Sequence, residues 1–366
     1  MADRDPTSAR LSVDLEALAH NYAVLKAQAA GVELAPVLKA DAYGLGIGPV
    51  ARRLWAEGAR RFFVARLGEG EALRRALGPE RPAEICILDG FAAGAGPRLA
   101  AAGLTPVLLG LPQVAAASAF AGQLGRPMPV VLHVDTGMNR QGLSLGEARA
   151  LAQDHERLRG LDVALVMSHL GSAAVPENPR NSHQLRMFLE VRPLFPGARA
   201  SLAASAGIFL GPSYHFDVVR PGVSLFGGGP LERPDPRLKA VATLTAPVVA
   251  IRQVAAGEAI GYGESVRAER PLRVAVAAAG YADGVIRAAK AGGHAWFAGH
   301  RRRLLVVNMD LTVIDLGDLP AALGDPVEFL GPNAPLDELA AAAGTVAHEV
   351  LVRLSRRADR VYLGGD

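Results

Sequence analysis

Short, nearly continuous apolar runs alternate with alanine-rich amphipathic stretches along the first two thirds of the chain. The apolar runs predict strands at 35–39, 61–65, 84–88, 105–109, 129–134, 163–168, 198–203 and 217–219. Continuous rather than alternating hydrophobicity is what a strand buried on both faces requires. Helical periodicity lies between them at 14–30, 47–57, 112–122, 145–155 and 181–191. The first of these lines up Leu15, Leu18, Ala19, Tyr22 and Leu25 on one face. Ser12 is expected to cap that helix and Gly31 to end it. Eight strand–helix units in roughly 200 residues predict an α/β fold, an eightfold (β/α) TIM-type barrel. A doubly wound open sheet is the alternative, weakened because no glycine-rich dinucleotide fingerprint follows the first strand.

Beyond Gly229 the texture changes. The segment Pro230-Leu231-Glu232-Arg233-Pro234-Asp235-Pro236 reads as a linker. Short strand-like runs follow at 243–252, 273–279, 303–308, 312–316, 326–330 and 349–354, separated by Gly and Pro turns. That spacing predicts a C-terminal all-β domain. The barrel is assigned to 1–235 and the β domain to 236–366, and the first residues of the chain could also belong to the latter.

Composition narrows the function classes. Half of the 366 residues are apolar, so a sizeable core is available. With 39 basic and 36 acidic residues there is no electrostatic footprint for nucleic acid or an anionic membrane. The run Arg301-Arg302-Arg303 reads as a polar hairpin turn between strands. The single cysteine, Cys86, sits in an apolar strand and excludes an internal disulfide or a cysteine metal cluster. No metal site is expected. The start Met1-Ala2-Asp3-Arg4-Asp5-Pro6 lacks a secretory apolar core, and no apolar run approaches ~20 residues. A cytoplasmic protein is expected.

In such barrels the reactive groups sit where the strands run out into the loops before the helices. Applied here, this rule selects Lys39 after the first strand, and Asp135 with Arg140 after the fifth. It also selects His169 after the sixth, Ser205 after the seventh and Arg220 after the eighth. A desolvated lysine near other cations loses part of its basicity and becomes a nucleophile. The plainer alternative is a lysine whose head reaches solvent at the rim. The following Tyr43-Gly44-Leu45-Gly46 favours the first reading, since glycines allow a tight loop and a phenol can bond a phosphate oxygen.

The run Val37-Leu38-Lys39-Ala40-Asp41-Ala42-Tyr43-Gly44-Leu45-Gly46 resembles the pyridoxal-phosphate lysine motif of alanine racemases, with Asp41 where asparagine is common. Asp135-Thr136-Gly137-Met138-Asn139-Arg140, Ser168-His169, Ala204-Ser205-Ala206-Gly207 and Val219-Arg220-Pro221-Gly222 resemble further segments of that family, in the same order. So do Gly261-Tyr262-Gly263-Glu264, Gly280-Tyr281-Ala282-Asp283-Gly284 and Asn308-Met309-Asp310, and the likeness runs from residue 35 to about 355. The resemblance implies an isomerase that interconverts L- and D-alanine on pyridoxal 5'-phosphate held as a Schiff base to Lys39. Lys39 and Tyr262 would be bases on opposite faces of the substrate. Without the likeness Tyr262 would read as an ordinary turn residue. His169 and Arg220 would relay charge to Tyr262, and Arg220 would face the pyridine nitrogen. Tyr43, Ser205 and the amides of Gly222 and Val223 would hold the phosphate. Arg140 and the Met309 backbone would bind the substrate carboxylate, with Asp310 in support. Tyr281 and Arg287 match residues of the family's entry corridor. The resemblance also implies a homodimer in which Tyr262 and Met309 act on the partner's cofactor.

Three positions depart from common family patterns. His133 stands where many members carry a carbamylated lysine, so Arg140 would be oriented by a small anion, by water or by His133 itself. Arg356 replaces a tyrosine of some members, and Asn308 stands where a small cysteine or serine is frequent. The last two leave a broader small amino-acid racemase open. A pyridoxal-phosphate decarboxylase and a non-catalytic pyridoxal-binding protein are the alternatives of other classes.

Overall fold

A computed structural model describes residue 5, residues 8–264 and residues 266–364. Most of the polar start, residues 1–4 and Pro6, therefore lies outside the described residues. The chain divides into two compact units, one of residues 21–42 and 46–225, the other of 1–20, 43–45 and 226–366.

The first unit is the barrel. After β1 (Arg10–Asp14), which belongs to the other unit, its strands are β2 (Glu33–Leu34), β3 (Arg61–Val64), β4 (Glu84–Ile87) and β5 (Leu104–Leu108). The ring continues with β6 (Met128–His133), β7 (Leu161–Met167), β8 (Arg199–Ser201) and β9 (Val218–Val219). Strands β3 to β8 pair in sequence, all parallel, and β2 pairs with β9. Single bridges Val37 to Phe63 and Ala204 to Arg220 close the circle. Seven of the eight overlap the expected apolar runs; the first does not, since β2 ends at Leu34 and within 35–39 only Val37 forms a bridge, to Phe63. Their inward side chains, among them Ala35, Phe63, Cys86, Val107, Val131, Leu165 and Val218, fill the interior as a packed core.

The helix at Leu15–Gln28 is observed, but Ser12 does not cap it. Ser12 lies in β1, and Asp14 Oδ1 accepts from the Ala17 amide at 2.9 Å instead. Two barrel helices, Leu67–Leu77 and Gly96–Ala102, lie outside the expected helical segments. In the former, Gly68 and Gly70 depress helix propensity. A Cβ at Gly70 would lie 2.5 Å from Ile87 Cδ1 and 3.0 Å from Leu104 Cδ1, so those side-chain ends would have to shift to admit one.

The second unit is built on strands β10 (Ala242–Val254), β11 (Ala259–Ile260), β12 (Val266–Arg267), β13 (Leu272–Ala277) and β14 (His294–Phe297). It continues with β15 (His300–Val307), β16 (Thr312–Asp315), β17 (Pro326–Leu330) and β18 (Asp359–Leu363). The long β10 pairs with β1 and β17 through its first half and, past an irregularity at Val248, with β13. One bent strand thereby closes β13, β16, β15, β14 and β17 into a ring, with β1 and β18 extending outside it. Two expectations are corrected here. The run 349–354 is part of a helix, Ala347–Arg353, because Ala347, Val350, Leu351 and Leu354 are buried at helical spacing. Arg301-Arg302-Arg303 lies in β15 rather than in a turn; the turn is Ala298-Gly299, both with positive φ. Arg302 donates to the Asp315 and Leu316 carbonyls at 2.7 and 2.9 Å. Among the described residues no helix is long and apolar enough to cross a membrane.

Phe63 is fully buried at the centre of the barrel core. Phe63→Ala is expected to cost about 3–5 kcal/mol of stability, read as a lowered midpoint of denaturant unfolding; a loss below about 1 kcal/mol would contradict the packing described.

Candidate active site

Lys39 follows the first strand and begins a turn of unusual hand. Ala40, Asp41, Ala42 and Tyr43 all have φ between 54° and 57°. Left-handed backbone costs an ordinary residue roughly 1–2 kcal/mol each, so a run of four must be held in place. The Leu38 amide donates to the Phe63 carbonyl at 2.7 Å, and the Ala42 amide to the Leu38 carbonyl at 3.0 Å. Asp41 Oδ1 accepts from the Ile47 amide at 2.8 Å. Glu69 binds the Ala40 amide with one oxygen at 2.7 Å and the Ala65 and Arg66 amides with the other. Burial and then the nearby Arg140 push the Lys39 amine below its usual range, against a smaller opposing pull from Glu69 and Asp89.

Arg220 follows β9 and is 2% exposed. It donates to the Ser201 hydroxyl and to the carbonyls of Ser168 and Leu202, and pairs with no carboxylate among the described residues. Burial draws its guanidinium down to about 9, still cationic at neutral pH. Its Nη2 lies 3.4 Å from His169 Nδ1. A guanidinium has only donors, so His169 Nδ1 accepts and the imidazole proton resides on Nε2. Burial first, then Arg220, Arg140, His133 and Lys39, hold His169 well below its ordinary value, in keeping with that neutral form. The Gln184 amide donates to the His169 carbonyl at 2.9 Å, fixing the backbone beneath it.

His133 ends β6, buried, and is drawn down to about 4 by burial and by Arg220 and Arg140. Asp135 Oδ1 accepts from the Gly137 and Met138 amides at 2.8 Å, shaping the loop that carries Arg140. The Arg140 side chain is exposed and forms no hydrogen bond to His133 or any other described residue. Ser205 Oγ accepts from the Gly222 amide at 2.9 Å and the Ser224 amide at 3.3 Å, which leaves its own proton to donate elsewhere. Ser224 Oγ is buried without a partner among the described residues, and Val223 opens a short turn beside it. Lys39, Arg140, His133, His169 and Arg220 thus form one electrostatic cluster that carries positive charge and little to neutralise it. An anion with several acceptor oxygens and a group that an amine can attack fits this donor set, and the orphaned Ser224 hydroxyl and the free Ser205 proton suit a phosphate.

Tyr43 belongs to the other unit by its contacts, its ring 5.0 Å from Phe226 and 5.8 Å from His348. Burial raises its phenol, which therefore stays protonated. Tyr262, Met309 and Asp310 also belong to the β unit and are not part of the barrel cluster. Tyr262 is 83% exposed between Gly261 and Gly263, both with positive φ, and Met309 is 53% exposed. Asp310 pairs with Arg357, which also binds Asp283. Tyr281 is exposed and Arg287 opens a short turn. Sequence reasoning missed Ser201, Gln184, Glu69 and Ser224. Glu69 at the third position of its helix carried a weak capping signal; the others carried none.

The family model for the alanine racemase N-terminal domain matches residues 13–230, and that for its C-terminal domain matches 241–362. The chain belongs to the alanine racemase family. It is 43% identical to a catabolic alanine racemase of Mesorhizobium japonicum, covering 97% of this chain and 93% of that one. It is 42% identical to a biosynthetic alanine racemase of Agrobacterium fabrum, covering 98% and 94%. Catabolic and biosynthetic racemases thus match equally well, so identity does not choose between those roles. The crystal structure of the Bartonella henselae alanine racemase, with covalently bound pyridoxal phosphate, superposes with a TM-score of 0.91 at 34% identity, covering 98% and 100%.

The two imidazoles make acid sensitivity predictable. Their folded values lie below the free value of about 6.5, so the unfolded chain takes up their protons first as pH falls. Stability from this source is complete above about pH 6.5 and falls by about 1.4 kcal/mol per pH unit per histidine below it. For His133 the decline ends near its folded value, about 4. Urea midpoints at about pH 7 and about pH 5 should show a smaller acid loss in His133→Gln than in the parent. An equal loss would contradict the assignment.

Proposed function

We propose that this chain interconverts L- and D-alanine with pyridoxal 5'-phosphate as cofactor. The observation that carries the reading is Lys39: an amine made less basic among Arg140, His169 and Arg220 at the mouth of a barrel of the alanine racemase family. Lys39 would hold the cofactor. Ser205, Tyr43 and the amides of Gly222 and Val223 would bind its phosphate, and Arg220 would face its ring nitrogen. When bound, the cofactor supplies a carbonyl carbon for the substrate amine and a ring that spreads charge from Cα.

The protein's own part is to move one proton off Cα and another onto the opposite face. Lys39 Nζ, held below its ordinary basicity, would accept or return the proton on one face. Tyr262 would serve the other. A free phenol has a pKa of about 10, so Tyr262 needs positive charge nearby to act as a base. His169, neutral and with its Nε2 proton turned away from Arg220, is suited to donate to that oxygen. Arg220 holds its protons too tightly to give one to the cofactor ring, which keeps the ring a weak electron sink and favours prompt return of the proton. Arg140 and the Met309 backbone would receive the substrate carboxylate, with Asp310 steadied by Arg357 in support.

The same reading makes the working unit a homodimer, each Tyr262 and Met309 reaching a partner's cofactor. The exposure of both side chains supports this, because a catalytic phenol left open to solvent is poorly placed to hold a shifted pKa. It also places the protein in the cytoplasm, in keeping with one buried, unpaired cysteine.

Incubation with L-alanine and cofactor is expected to yield equal amounts of the two enantiomers, with solvent deuterium at Cα and without CO2. Lys39→Ala and Tyr262→Phe should each be inactive, and a mixture of the two should regain part of the activity. CO2 release would sink the racemase reading, whereas a mixture that stays inactive would sink only the shared site.

A further inference from the structure

The N-terminal ends of β2, β3 and β4, at the end of the barrel away from Lys39, border a second polar cavity. Its volume is about 420 Å3, and its wall includes Tyr22, Lys26, Glu33, Arg60, Arg61 and Glu84. The acidic groups there are already engaged. Glu84 Oε2 accepts from Arg61 Nε at 2.8 Å and pairs with Nη2 at 2.7 Å. Glu33 pairs with Arg199 and lies 3.6 Å from Arg61 Nη1.

Several donors have hydrogens to spare. Arg61 is 7% exposed, yet its Nη1 is buried without a hydrogen-bond partner. Tyr22 is 3% exposed, and its hydroxyl bonds nothing among the described residues. Burial pushes that phenol up to about 12, so at neutral pH it is a donor. Lys26 has no carboxylate partner among the described residues, and its Nζ lies 3.9 Å from where a Cβ on Gly58 would stand. Arg60 spends Nη1 on the Trp55 and Ala59 carbonyls and stacks on the Trp55 ring. An unmet buried donor costs about 1–3 kcal/mol, and more when charged. Donors with unused hydrogens line this cavity beside carboxylates already held by Arg61 and Arg199, so an acceptor from outside the chain would complete them.

We propose that this cavity binds a small oxyanion, held by Tyr22, Lys26 and Arg61 and separate from the site at Lys39. A phosphate offers more acceptor oxygens to these three donors than a carboxylate does, and either would fit the cavity. Nothing in the racemase reading needs this site, so the two proposals fail separately.

Calorimetric titration of the cofactor-loaded protein with inorganic phosphate at constant ionic strength tests it, with acetate run in parallel. Saturable binding of one phosphate per chain is expected, weakened about tenfold or more by Lys26→Ala and by Tyr22→Phe, as loss of a charge-assisted or buried bond implies. Lys26→Ala, a surface change, should leave racemisation in phosphate-free buffer unaltered. Tighter binding of acetate, with the same loss in both variants, would assign the site to carboxylates and support the proposal. Absence of saturable heat with either ion would mean that water fills the cavity, and overturn it. So would phosphate binding that neither variant weakens.

Discussion

The guanidinium of Arg220, buried with no carboxylate partner among the described residues, governs the chemistry at the barrel mouth. Removing such a charge from water costs several kcal/mol unless polar groups or an opposite charge replace the solvent. Ser201 and the carbonyls of Ser168 and Leu202 replace part of it. The remainder acts on every ionisable neighbour. His169 must be neutral because Arg220 can only donate to it, and His133 is driven down by burial and by the same charge. The result is a pocket with cations, neutral imidazoles and free hydroxyls. An anionic ligand completes it.

The second constraint is geometric. The left-handed turn from Ala40 to Tyr43 directs the chain away from Lys39, and its hydrogen bonds come from elements far apart in sequence. Asp41 closes the turn on Ile47, and Glu69 ties it to the start of the helix Leu67–Leu77 while contributing negative charge that Lys39 feels. Strain and electrostatics therefore share residues. A change that relaxed the turn would also redirect the amine.

Much of this was legible in the sequence, for identifiable reasons. Strands buried on both faces leave continuous apolar runs, and seven of the eight barrel strands coincide with them, while β2 precedes its run. The rule that reactive groups follow the strands then selected Lys39, Arg140, His169, Ser205 and Arg220, which the structure gathers at one mouth. Failures occurred where local pattern and tertiary need diverged. Gly70 makes a poor helix former but leaves room for the close approach of the Ile87 side chain. The run at 349–354 is apolar enough for a strand, and only the burial of Ala347 and Leu354 reveals a helix. The turn at Ala40–Tyr43 left no trace, since three of its four residues have no intrinsic liking for that conformation. Ser201, Gln184 and Ser224 act through contacts that no spacing encodes.

The central claim is that one amine, made reactive by this cluster, holds the cofactor. The chain contains only four lysines: Lys26, Lys39, Lys239 and Lys290. Borohydride reduction of the protein with pyridoxal phosphate, followed by peptide mapping, tests that claim most directly. The account predicts one stable adduct per chain, on Lys39, formed at neutral pH. An adduct spread over the other three lysines, or absent from Lys39, would contradict it.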